Sequence, residues 1–216
     1  MSNKDYQEKA NEYQTEAADA EKKAERERDA AERNAVSATG HEERAKEYER
    51  DAKKYEKQAK KHFNAAKKAQ EEDDDDRNDD YVQEELEKAE EAYRNTAEKH
   101  RQAAKERRQA SSDYDDASEN YDRAREDYQK AAKAHQRAAK EHEEAAKKYK
   151  ADKKPDKQKE QEKAAKQQKD YYDNDIDDFK EDEERARENH GKAKQQHKLS
   201  EVQHQAAEDD VDKANK

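Results

Sequence analysis

A seven-residue beat, alanine answered by a larger side chain, constrains this chain more than any other feature of it. From position 82 to 149 one series reads Leu86, Tyr93, His100, Arg107, Tyr114, Tyr121, Tyr128, His135, His142 and Tyr149, interleaved with Val82, Ala89, Thr96, Ala103, Ala110, Ala117, Ala124, Ala131, Ala138 and Ala145. Alternating steps of three and four held in one phase over this distance mark a single face of a long helix, because a strand would repeat every two residues. Residues 6–69 carry the same beat. Alanine stands at 10, 17, 24, 31, 38, 45, 52, 59 and 66, with Tyr6, Tyr13, Ala20, Glu27, Asn34, His41, Tyr48, Tyr55, His62 and Ala69 between.

The breaks in the beat set the elements. Ser2 with Asp5 reads as a start cap, and the acidic stretch 71–80 reads as a turn, with Asp80 and Gln83 capping the second helix. Pro155 fits the first turn of a helix but not its interior, so 152–156 is a second turn. The stretch 36–40 and the pair Ser111, Ser112 soften their helices without breaking the phase. The sequence therefore predicts one helical domain over 1–216, with helices at about 3–70, 81–151 and 156–215. The third helix is less regular. One of its series is Ala165, Tyr172, Phe179, Ala186, Ala193, Ser200, Ala207 and Ala214; the companion series is expected at Lys169, Ile176, Glu183, His190, His197, His204 and Val211. Short turns make neighbouring helices antiparallel. The expected fold is all-α: an elongated antiparallel three-helix coiled-coil-like bundle, up-down-up, with an Ala/Tyr/His heptad seam.

Folding the first helix back on the second about the acidic turn sets small against large in nearly every layer: Ala24 with Tyr128, Ala31 with Tyr121, Ala38 with Tyr114 and Tyr48 with Ala103. That alternation fills a seam without voids. In this register Glu49 falls beside Arg101, Glu42 beside Arg108 and Arg28 beside Asp122, and Gly40 falls level with Ser111 and Ser112, predicting a joint near the middle of the rod. With alanine supplying half the seam, the bundle is expected to be only marginally stable.

Composition narrows the function classes. Half of the 216 residues are charged and the net charge is -11, which argues against nucleic acid as a partner. With no cysteine there is neither a disulfide framework nor thiol chemistry. No run is long and apolar enough for a membrane span, and the charged first twenty residues lack a signal-peptide core, so a cytoplasmic protein is expected, although a secreted chain freed of its leader would read the same. Two glycines leave no phosphate-cradling loop, and no nucleophile–base arrangement stands out. Neither enzymatic activity, a cofactor nor a small-molecule ligand is expected; a protein partner or self-association is.

Two sets of residues merit attention as sites. The histidines at 41, 62, 100, 135 and 142 all fall on the seam, and with His190, His197 and His204 they are candidate pH sensors, since imidazole titrates between pH 5 and 8. Desolvated neutral histidines would make stability fall as pH falls. The stretch 173–184 places Asp173, Asp175, Asp177, Glu181 and Glu184 at the ligand positions of a calcium loop, a weak candidate because Asp178 stands where the loop needs glycine. No other metal site is expected: there is no HxxxH, and the single ExxH is Glu201 to His204. The functional expectation is a structural or scaffolding helical rod; the alternatives are a hydrophilic stress protectant partly disordered in solution and a pH-responsive helical binding module.

Overall fold

The structure, a computed structural model, describes residues 2–71 and 77–215. Three helices account for nearly all of them: α1, Asn3–Glu71; α2, Arg77–Ala151; and α3, Pro155–Ala214. Their sequences are dominated by Ala, Glu, Lys, Gln and Arg, which lose little freedom in a helix. Flanking pairs such as Glu56–Lys60 and Glu42–Lys46 add (i, i+4) support. Ser2 and Asp5 form the expected capping box: the Ser2 amide donates to Asp5 Oδ2 and the Asp5 amide to Ser2 Oγ at 3.2 Å. Positions 36–40 and Ser111–Ser112 are helical.

The expected turn at 71–80 is shorter than its acidity suggests. Glu71 is helical and α2 already begins at Arg77. Asp79 and Asp80 sit in its first turn, where the helix dipole favours acids, so Asp80 is inside the helix rather than its cap. Gln83 donates instead to Glu87, at 3.3 Å. The remainder of that expected turn, 72–76, lies outside the described residues.

The chain divides into two compact units. The first comprises Met1–Asn34 and Asp115–His190, the second Ala35–Tyr114 and Gly191–Lys216, so each helix contributes a segment to each unit.

In the first unit the α1 and α2 segments run antiparallel in the expected register. Ala24 packs with Ala124 and Tyr128, with Phe179 of α3 closing the layer, and Ala31 packs with Tyr121 and Ala186. Cationic side chains roof the rings: Arg28 lies 5.1 Å from the Tyr128 centroid, Arg185 5.6 Å from Tyr121 and Arg137 5.7 Å from Tyr13. Ser118 donates to the Ala186 carbonyl at 2.9 Å, which holds α2 close to α3. The turn between these helices occupies 152–154, so Pro155 takes the first helical position and not the turn.

In the second unit Ala38 packs with Ala110, Tyr114 and Ala193, and Ala66 and Ala69 pack with Val82 and Leu86. Ser111 donates to the Ala193 carbonyl at 3.0 Å and Ser200 to the Ala104 carbonyl at 3.1 Å. Small residues at Ala97, Ala104, Ser111, Ser118, Ala132, Ala139 and Ala146 thus give α2 a second interior face, toward α3. One seam per helix does not account for it.

All three expected charge pairs are replaced: Glu42 takes Lys46 and the Tyr114 hydroxyl instead of Arg108, which donates to Ser200. Arg28 pairs with Asp178 and Asp182 of α3 instead of Asp122, and Glu49 takes Arg107 instead of Arg101. The seam arginine reaches Glu49 from within the interior, where less solvent screens the pair. The larger correction concerns α3. Ala165, Ala186, Ala193, Ser200, Ala207 and Ala214 are buried as expected, but the companion series is polar: Gln161, Gln168, Asp175, Asp182, Asn189, Gln196 and Asp210 are buried, and Gln203 is half-buried. Lys169, His190, His197 and His204 face solvent. The polar partners on α2, histidine and arginine, demand acceptors, and amides and carboxylates supply them.

Candidate functional site: a polar seam and its acid–histidine cluster

In the first unit two successive seam histidines of α2 each meet a glutamine of α3. His142 Nδ1 is 2.7 Å from Gln161 Oε1, and His135 Nδ1 is 2.7 Å from Gln168 Oε1. A carbonyl oxygen only accepts, so each imidazole carries a proton on Nδ1 and turns Nε2 inward. For His142 this is balanced, because the Gln14 amide nitrogen lies 3.0 Å from Nε2 and donates to it.

His135 is not balanced. Its Nε2 lies 2.9 Å from Glu21 Oε1 and 3.8 Å from Asp175 Oδ2, so two further acceptors face it. Glu21 comes from α1, His135 from α2 and Asp175 from α3; their ligating atoms all lie within 4.8 Å of one another. Asp175 is 3% exposed, and its buried Oδ2 accepts no hydrogen bond. Burial, reinforced by the Glu21 charge, pushes the Asp175 carboxyl up to about 7. Tyr171 lies beside the imidazole, with ring centroids 5.2 Å apart.

One heptad along α3, Asp182 is fully buried but receives Arg28 Nε at 2.9 Å. Burial raises its carboxyl and Arg28 opposes the rise, leaving it above the usual range. Beneath the same guanidinium, burial pushes the Tyr128 phenol up to about 12.

The second unit repeats the pattern with cations in place. Arg107 donates to Glu49 at 2.7 Å and to Gln196 Oε1 at 2.7 Å. His100 Nδ1 meets Gln203 Oε1 at 2.5 Å, with Asp210 at 3.6 Å from Nε2. Across the α1–α2 face, His41 Nδ1 lies 2.7 Å from Glu106, which Arg44 also contacts at 2.7 Å. His62 Nδ1 lies 2.8 Å from Glu85, which Lys88 contacts at 2.9 Å. Hydrogen bonds from His62 and Lys88 hold Glu85 below the usual carboxylate range; at Glu106 burial pushes upward, and the bonds from His41 and Arg44 outweigh it.

Of the eight candidate pH sensors, then, His135 and His142 are buried and His41, His62 and His100 half-buried. His190, His197 and His204 are exposed beside Asp115, Glu201 and Glu208. The calcium-loop reading is corrected: 173–184 is helical, within α3, and a continuous helix cannot wrap its acids around one ion. Asp173, Asp177, Glu181 and Glu184 face solvent while Asp175 alone of the five points inward. No local motif marks the cluster, because its members lie on three helices. The seven-residue recurrence of Gln and Asp through 161, 168, 175 and 182 was the available signal.

Comparison with family models, curated proteins and solved structures finds no match to this chain. Among the described residues no helix is long and apolar enough to cross a membrane.

Proposed function

We propose that the protein is a non-enzymatic structural or scaffolding element, a helical bundle whose interior serves to align its own helices. The observation that carries this reading is the pairing of α2 with α3 along the polar seam: His142 with Gln161, His135 with Gln168, Arg107 with Gln196 and His100 with Gln203. Hydrogen-bonded polar groups inside a helical bundle penalise every slipped register, because a slip leaves buried donors and acceptors unmatched. An interior devoted to register suits a part that must hold a fixed arrangement for something else to dock on. The occupant of that role is a protein partner or a second copy, and the net charge of -11 disfavours nucleic acid.

The test is circular dichroism and light scattering on dilute protein in plain buffer. A scaffold gives full helicity and a cooperative melt without additives. A stress protectant gives weak helicity that rises only on drying or in osmolyte, and that result would replace the scaffold reading. A pH-responsive role is a second reading, favoured by carboxylates within 3 Å of His41, His62 and His135. It requires helicity or assembly state to change between pH 8 and 5.

A further inference from the structure

Among the described residues the buried carboxylates are matched by a cation, with one exception. Asp182 has Arg28, Glu85 has Lys88 and Asp210 has Lys213; the half-buried Glu49 and Glu106 likewise have Arg107 and Arg44. No guanidinium or ammonium among the described residues is paired with Glu21 or Asp175; their shared neighbour is His135. Gln168 on Nδ1 turns Nε2 into the same space that two carboxylate oxygens face, and Asp175 Oδ2, buried, accepts no hydrogen bond. One imidazole nitrogen and two carboxylate oxygens converging from three helices, with no guanidinium or ammonium beside them among the described residues, describe a site for a positive ion.

We propose that Glu21, His135 and Asp175 bind one divalent first-row transition ion, with zinc as the reference case, so that a single metal ties α1, α2 and α3 of the first unit together.

The chemistry fits. One imidazole and two carboxylates are an N/O donor set suited to such an ion, and two carboxylates neutralise its charge in a buried setting. Ligands about 2.1 Å from a tetrahedral zinc stand about 3.4 Å from one another; the 2.9 Å and 3.8 Å separations around Nε2 bracket that value. Gln168 supplies the outer-shell acceptor that fixes the tautomer and aims the ring. Glu21, whose side chain is 36% exposed, gives the ion an approach from solvent and leaves room for water as a further ligand. Binding displaces whatever proton the cluster holds, so affinity falls in acid. The surface pairs His197–Glu201 and His204–Glu208 offer two donors each and no buried acceptor.

The test is Co²⁺ titration of chelator-treated full-length protein near neutral pH, followed by visible absorption and calorimetry. The expected result is one equivalent bound with ligand-field bands of a four- or five-coordinate site and a raised melting temperature. Asp175→Asn and Glu21→Gln should each weaken binding by more than about tenfold, which is the low end of the effect of losing even an outer-shell partner. Gln168→Leu should weaken it by roughly 10–100-fold with the three ligands intact. His197→Gln with His204→Gln should leave the site unchanged. Glu21 is half-exposed, so its variant keeps the interior packing if Asp175→Asn disturbs it. Equal Co²⁺ uptake by the parent and Glu21→Gln proteins, or no stoichiometric binding by the parent below millimolar metal, would overturn the proposal.

Discussion

Arg107 stands in a heptad series whose neighbours are tyrosines and histidines, and it is 4% exposed. Its guanidinium tolerates that position only because Glu49 of α1 and Gln196 of α3 accept its hydrogen bonds. Arg107→Met should cost about 3 kcal/mol, since it strands a buried glutamine and a partly buried acid. Adding Gln196→Leu should recover about 1–2 kcal/mol of that loss, because replacing both partners removes the orphan. Denaturant melts of the single and double variants check this; additive losses would contradict it.

Asp182 sets a pH dependence at the same scale. It faces Arg28 from α1, Tyr128 from α2, and Asp178 and Arg185 along its own helix. Its carboxyl is raised in the folded state, so the folded chain holds that proton to higher pH than the unfolded chain does. The associated stability is fully present below about pH 4, the unfolded value, and is lost as pH rises through the folded one. This slope is opposite to the one expected of desolvated neutral histidines. Asp182→Asn should flatten the decline in melting temperature above about pH 4; an unchanged profile would count against it.

Among the described residues, backbone strain falls in the α2–α3 turn. Lys153 has φ of 56° at the position where a helix ending of this type takes glycine, with the Lys154 amide donating to Tyr149 and the Lys153 amide to Lys150. Lys153→Gly should stabilise by about 1 kcal/mol. Gly191 lies inside α3 with open space where a Cβ would stand, so Gly191→Ala should add about 0.5–1 kcal/mol. Thermal melts would show both as upward shifts. How legible an element was depended on what its interior is made of. α1 and the first face of α2 announce themselves because methyls and rings alternate with charge, and Ala31 duly meets Tyr121. α3 did not, because its second series is Gln, Asp and Asn, whose polarity reads as solvent-facing. The histidine seam expected there lies outside for the same reason. The second face of α2 was hidden by residues too small to carry a hydropathy signal, and the Glu21–His135–Asp175 cluster by its distribution over three helices.

Over the whole molecule, half of the residues are charged and the described interior is largely alanine, so register rather than apolar bulk must single out one arrangement. The two units apply the same rules independently: alanine beneath a ring between α1 and α2, and a polar acceptor opposite histidine or arginine between α2 and α3. The most direct test is a nuclear Overhauser experiment on protein carrying labelled alanine methyls and tyrosine rings. Cross-peaks from Ala24 to Tyr128 and from Ala31 to Tyr121 in the first unit, and from Ala38 to Tyr114 in the second, are predicted. Methyls that instead see rings one heptad away, or none, would contradict the register on which every other assignment depends.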